Sequence, residues 1–161
     1  MIKNNDVYIT ELESEFPKFK YSTNELIDLL GNKLSEDVKE NIHQLGVKNR
    51  FFVKPIEFYL SKNNKTKKID DEPIAQICAN VAKKLLSKLN MNPNQINYLI
   101  AASENNDYLS PGLSSVILRK IGLDNFTTHF NLQGMACSSF PKVLELGKHL
   151  LKNDKENALI V

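Results

Sequence analysis

An α/β fold with a mostly parallel sheet is the class predicted for this 161-residue chain, and two observations predict it. From residue 96 onward, strand-like runs at 96–102, 127–132 and 158–161 alternate with segments of helical period. Strand–helix–strand–helix–strand order of this kind becomes a parallel sheet through right-handed crossovers. The composition is also that of a globular chain, with 42% hydrophobic and 25% charged residues. Such values exclude a disordered chain, a collagen-like fibre and a low-complexity linker. The length suits one compact domain, and no repeat or linker divides two.

The elements follow in order. Residues 7–12 (VYITEL) read as a first strand, ended by the polar, proline-containing stretch 13–18. Ser22-Thr23-Asn24-Glu25 has the capping-box form, in which a hydroxyl and a carboxylate satisfy the first free N–H groups of a helix. Leu26, Ile27, Leu29 and Leu30 fill that helix, and Gly31 stops it. A second helix begins at Ser35, carries Val38, Ile42 and Leu45 on one face, and ends at Gly46. Residues 47–53 look extended, and 61–68 (SKNNKTKK) form a solvated loop. Ile74, Ile77, Cys78, Val81, Leu85 and Leu89 recur at helical spacing, with Asp70, Asp71 and Pro73 marking the start. Asn92-Pro93-Asn94 breaks the chain before the strand at 96–102. A polar loop, 103–110, leads through Pro111-Gly112 to a helix ending at Lys120 and stopped by Gly122. After the strand at 127–132, Gln133 to Cys137 make a tight connection into a helix ending near Lys152. Proline is tolerated only in a first helical turn, so Pro141 moves that helix start towards Ser139.

Charge and cysteine content narrow the function classes. Lysine and arginine number 21 against 19 acidic residues, a net +2, and arginine occurs only at positions 50 and 119. That is too little positive charge for a nucleic-acid footprint. Two cysteines cannot build a disulfide framework, no signal-like segment opens the chain, and no apolar run approaches the roughly 18 residues of a membrane span. A cytoplasmic protein without nucleic-acid or membrane partners is expected. The chain stops inside the apolar run 158–161, which reads as a strand cut or continued elsewhere.

Cys137 is the candidate catalytic residue. It lies between a strand and a helix, where free N–H groups and the positive end of the helix dipole favour an anion. The same N–H groups can hold the oxyanion formed when a thioester carbonyl is attacked. Strand, small-residue turn, nucleophile, helix is also the logic of the nucleophile elbow. The bland alternative is a small apolar residue buried at a crowded junction, and spacing alone leaves both open. Cys78 sits in an apolar helical stripe and reads as core. His129 on its strand, His149 on the polar helix stripe Lys142, Glu145, His149 and Lys152, and His43 on a short surface helix read as structural. With the cysteines they form no metal-ligand spacing, so no metal or cofactor is expected. The lysines at 62, 65, 67 and 68 read as a solvated loop. No glycine-rich phosphate cradle supports a nucleotide-binding domain.

Three stretches together carry a resemblance. Gly46-Val47-Lys48-Asn49-Arg50, then Leu109-Ser110-Pro111-Gly112 with a helix ending Ile121-Gly122-Leu123, then Asn131-Leu132-Gln133-Gly134-Met135-Ala136-Cys137-Ser138-Ser139, occur in this order. In that order and spacing the chain resembles the thiolase superfamily. Its condensing branch is the nearest likeness: ketoacyl synthase III, plant very-long-chain ketoacyl synthases and chalcone-synthase-like type III polyketide synthases. The resemblance implies a thiolase-like N-terminal βαβαβ half spanning 1–161, with Cys137 as acyl-accepting nucleophile. It implies a decarboxylative Claisen condensation of acyl thioesters, with coenzyme A or acyl carrier protein presenting the substrate and no separate cofactor. The catalytic histidine and its asparagine come from a C-terminal half on the same or another chain, in a homo- or heterodimer. The fragment alone is expected to be inactive. The stretch before Gly46 offers Lys39 but also Glu40 and Gln44, a departure from the basic pattern of coenzyme-A-using relatives that favours a carrier-protein donor or a non-catalytic role. A non-catalytic subunit or scaffold half is the alternative.

Overall fold

The computed structural model describes residues 6–61, 74–104, 106 and 110–161. The chain forms two compact units, Phe16–Glu72 and Met1–Glu15 with Pro73–Val161. No linker in the sequence marks this division, although Phe16–Glu72 is the more highly charged stretch, with 20 of its 57 residues Asp, Glu, Lys or Arg against 20 of the other 104.

In the Phe16–Glu72 unit, β1 (Phe19–Ser22) pairs antiparallel with β2 (Asn49–Phe52), Phe19 opposite Phe52 and Ser22 opposite Asn49. Ser22 ends β1 and caps α1 (Thr23–Leu30) as expected: its hydroxyl accepts from the Glu25 N–H at 3.2 Å, and the Glu25 carboxylate accepts from the Ser22 N–H at 2.7 Å. A 3-10 turn at Gly31–Lys33 leads to α2 (Glu36–Gln44). The expected apolar face of α2 exists but is little covered, with Val38 41% and Leu45 70% exposed. A short helix, α3 (Ile56–Leu60), starts where the Ile56 N–H donates to the Tyr21 hydroxyl at 3.1 Å. Aromatic rings bind these pieces together. Phe16 stacks on Phe51 at 4.5 Å, and Phe52 meets Tyr21 and Tyr59, each at 5.9 Å between ring centres.

The strand expected at 7–12 does not form; residues 6–15 are without regular structure, and Val7, Tyr8, Ile9 and Leu12 are exposed. β-prone side chains need a partner strand to satisfy the backbone, and this segment has none among the described residues. It is tied instead by side chains: Lys84 reaches Glu13 at 3.4 Å and Lys88 reaches Glu11 at 3.3 Å.

Those lysines belong to α4 (Ile74–Lys88), the first helix of the larger unit. Its most buried face is Ala75, Ala79, Ala82 and Leu86, with Ile74, Cys78 and Leu85 packed beside it. The large apolar residues that mark the helical period thus flank the contact, and alanines form its centre because they let the backbone approach closely. Cys78 is half-buried against this core, as read from the sequence. The loop at 61–68 and the helix-start residues Asp70, Asp71 and Pro73 lie outside the described residues.

Asn92 caps a 3-10 turn, Pro93–Gln95, and the chain enters β3 (Tyr98–Ala102). Helix α5 (Leu113–Ile121), β4 (Thr128–Leu132), α6 (Ser139–Leu150) and β5 (Ala158–Ile160) follow. The sheet order is β4-β3-β5, all parallel, with Tyr98 opposite Thr128 and Ala158. The predicted α/β class with a parallel sheet is what the chain adopts. Leu99, Ile100 and Ala101 of β3 are fully buried. Strand pleating sends alternate residues to opposite faces. Leu99, Ala101 and Leu159 join α4 and α5 in one core, whereas Ile100 and Ile160 approach Gly147 of α6.

Two predictions follow from this packing. A Cβ at Gly147 would lie 3.4 Å from Ile160 Cδ1 and 3.8 Å from Ile100 Cδ1, ordinary contact distances. Gly147→Ala should therefore gain up to about 1 kcal/mol from helix propensity, and Gly147→Leu should lose about 1–3 kcal/mol by overpacking; urea midpoints measure both. The capping bond from the Ser22 N–H holds the Glu25 carboxyl below its ordinary 4.5. A carboxylate so lowered stabilises the fold above its unfolded pKa and loses that contribution as pH falls through the folded one. Glu25→Gln should thus be less stable than wild type at neutral pH, with the gap closing in acid below 4.5. A gap that stays constant down to acid pH would contradict the cap's role.

Candidate active site at the β4–α6 turn

Parallel pairing brings the C-terminal ends of β3 and β4 to the same edge of the sheet, the place where open α/β sheets bind ligands. The Ser103 N–H extends the pairing by donating to the Leu132 carbonyl at 3.2 Å. Beyond it, the loop after β3 and the turn after β4 meet. Gln133 Nε2 donates to the Glu104 carbonyl at 3.3 Å, and Asn106 Nδ2 donates to Gln133 Oε1 at 3.1 Å. Glu104 Oε1 accepts from the Met135 N–H at 3.0 Å, the Ala136 N–H at 2.6 Å and the Ser139 hydroxyl at 3.3 Å.

The turn has an unusual backbone. Gly134 lies at φ 77°, a left-handed position that glycine takes at no steric cost, and Ala136 lies at φ 45° although it has a Cβ. Residues Ala136–Ser138 form a single 3-10 turn, and α6 begins at Ser139, as Pro141 required. Cys137 sits in that 3-10 turn, two residues ahead of α6, and its side chain is exposed. Within residues 1–161, therefore, Cys137 is not packed into the strand–helix junction. The N–H groups of this turn do attract an anion, and the anion they hold is the chain's own Glu104.

Sequence reasoning did not single out Glu104, which falls within the polar loop 103–110. A lone glutamate in a loop gives no local signal, since its partners lie 31 and 32 residues further on.

The other candidates have structural places. His129 Nδ1 lies 3.0 Å from the hydroxyl of Ser114, which is 1% exposed at the start of α5. Asn131, two residues along the same strand, accepts from the Ser114 N–H at 3.4 Å. A Cβ at Gly112 would come within 3.3 Å of Asn131 Cγ, so the glycine makes room for this cap. On α6, Lys142 bonds Glu145 at 2.8 Å; this hydrogen bond and the lysine charge hold the Glu145 carboxyl below its usual value. His149 is exposed beside them. Phe140, in the first turn of α6, is 62% exposed.

Within the Phe16–Glu72 unit, the stretch Gly46 to Arg50 closes on α1. The Thr23 hydroxyl donates to the Val47 carbonyl and accepts from Arg50 Nη1 at 2.7 Å, and the Thr23 N–H donates to the Lys48 carbonyl at 3.0 Å. A cleft of about 330 Å³ beside it is lined by Ser22, Thr23, Asn24, His43, Gly46, Val47 and Lys48. Among the described residues, no group of three or more His, Cys, Asp or Glu side chains could hold a metal ion, and no helix is long and apolar enough to cross a membrane.

Residues 19–161 match the family described as FAE1/Type III polyketide synthase-like protein. The chain belongs to that family. It lies within the thiolase superfamily of condensing enzymes, as the three motif stretches suggested. It is 29% identical over 92 residues to beta-ketoacyl-(acyl-carrier-protein) synthase III of Lactobacillus helveticus, covering 56% of this chain and 28% of that protein. It is 32% identical over 80 residues to the protein of the same name from Phocaeicola vulgatus, covering 50% of this chain and 23% of that one. Among solved structures, a glutamate-to-alanine variant of Xanthomonas campestris OleA superposes with a TM-score of 0.68 at 18% identity, over 90% of this chain and 39% of that one. A cysteine-to-serine variant of the same protein, with bound lauric acid and lauroyl-CoA, gives 0.65 at 17% identity, over 92% and 40%. The chain thus spans well under half the length of the proteins it matches.

The exposure difference between the two cysteines makes a direct prediction. Iodoacetamide should modify Cys137 before Cys78 in the folded protein, as peptide mass mapping would reveal. Equal or reversed labelling would show that the Cys137 turn is closed in solution.

Proposed function

We propose that this chain is the N-terminal half of a condensing acyltransferase in which Cys137 is the acyl-accepting nucleophile. The observation that carries the reading is an exposed cysteine on a strand–turn–helix connection at the C-terminal edge of a parallel sheet, in a family member. The Cys137 thiolate attacks the carbonyl of an acyl thioester, the Cys137 N–H holds the oxyanion, and the coenzyme A or carrier-protein thiolate leaves. A carbanion formed by decarboxylation of a malonyl thioester then attacks the acyl-cysteine carbonyl and expels the Cys137 thiolate, completing the carbon–carbon bond. The thioesters carry all the chemistry the reaction needs, and no further cofactor enters.

The histidine and asparagine that stabilise the carbanion belong to a second half, on the same or another chain, within a dimer. His129 bonds Ser114, and His43 and His149 are exposed on helices with their own surroundings. Residues 1–161 alone should accept an acyl group poorly and should not condense it.

The whole protein, incubated with a panel of acyl-coenzyme A and acyl-carrier thioesters, should gain the acyl mass on Cys137. Cys137→Ala should abolish the adduct while leaving the thermal midpoint near wild type. An adduct of equal yield in Cys137→Ala would refute the nucleophile assignment.

A further inference from the structure

Resting on Cys137 as the nucleophile, we infer that Glu104 is the positioning residue of the Cys137 turn, its carboxylate acting as a built-in anion that holds Ala136 in the left-handed conformation. Met135 has φ −107° and ψ 0°, and Ala136 has φ 45°. A right-handed residue followed by a left-handed one turns successive N–H groups towards a common point and makes a concave anion cradle. One oxygen of Glu104 fills this cradle, taking the Met135 N–H at 3.0 Å and the Ala136 N–H at 2.6 Å, with the Ser139 hydroxyl at 3.3 Å. The glutamate is itself held from behind, through the Gln133 amide on its carbonyl and Asn106 on Gln133.

Left-handed backbone is unfavourable for a residue with a Cβ, so Ala136 needs a compensating interaction. Hydrogen bonds to an ionised acceptor are shorter and about twice as strong as neutral ones, which suits a carboxylate to this place. Residue 136 immediately precedes Cys137, so its dihedral angles set the direction of the Cys137 side chain and N–H. Glu104 works through the backbone: it occupies the first two N–H groups of the cradle and leaves the next, that of Cys137, facing the thioester carbonyl. The dependence on Glu104 is conditional. Glycine at 136 adopts the left-handed conformation without help and should make the carboxylate dispensable.

The test compares Glu104→Ala, Glu104→Gln, Ala136→Gly and the double variant Glu104→Ala/Ala136→Gly in the whole protein. Two readouts are taken: the amide proton shifts of Met135 and Ala136, and the rate of Cys137 acylation by an acyl-coenzyme A. In Glu104→Ala both amide signals should move upfield. The maximal acylation rate should fall about a hundredfold, the scale of misplacing a reacting group by an ångström, with half-saturation little changed. Glu104→Gln, which keeps an oxygen acceptor, should fall between the two. The double variant should acylate at close to the rate of Ala136→Gly alone and recover most of the loss seen in Glu104→Ala. The inference is overturned if the amides do not move, if Glu104→Ala acylates at the wild-type rate, or if the double variant is no faster than Glu104→Ala. Should Glu104→Ala not fold, Glu104→Gln with and without Ala136→Gly makes the same comparison. If the wild-type protein takes no acyl group, the nucleophile reading fails, and the amide shifts still decide the role of Glu104.

Discussion

The larger unit depends on one strand. β3 is hydrogen-bonded along both edges and buried on both faces, with Leu99, Ile100 and Ala101 shielded from solvent. A backbone in that position must have every N–H and C=O paired, and its neighbours satisfy it. α4 and α5 cover one face, α6 the other, and β4 and β5 flank it. Because the pairing with β4 is parallel, the two strands end together. That alone brings the loop carrying Glu104 to the turn carrying Cys137.

The stretches that carry the family resemblance divide between scaffold and chemistry. Gly46 to Arg50 folds back on Thr23 and closes the turn onto α1. Gly112 and Asn131 fit one against the other at the start of α5, the glycine admitting the amide that accepts from Ser114. Gly134 permits the sharp exit from β4. Most of the recognisable pattern thus records how the backbone around the Cys137 turn and α1 is built.

Local signals were read correctly where the interaction is local. The Ser22–Glu25 box, the Asn92 break and the Pro141-limited start of α6 each depend on residues within four positions, and each lies where expected. The parallel sheet was legible because β3 and β5 are short apolar runs, the pattern of a strand buried on both faces, and strand-like and helical segments alternate from residue 96 onward. β4 (THFNL) is largely polar and exposed and fits by its place in that order. Residues 7–12 misled because β-prone composition says nothing about whether a partner strand exists. β1 (FKYS) and α3 are short and depend on the aromatic contacts of Phe51, Phe52 and Tyr59, which sequence spacing does not reveal. On α4 the periodic large residues drew attention from the alanines that make the closest contact. Glu104 was invisible for the same reason that it matters, since its acceptor role exists only once two distant strands are paired.

The order β4-β3-β5 also bears on how the chain folds. Tyr98 meets Thr128, 30 residues later, on one side and Ala158, 60 residues later, on the other. Doubling the length of a closing loop adds about 0.6 kcal/mol of entropic cost, so the β3–β4 pair is the less demanding to form. That pair already contains both ends of the Glu104 contact, whereas β5 contributes none of its atoms. The elbow therefore requires only the nearer of the two strand pairings, and the Glu104 contact does not depend on β5 for any of its partners.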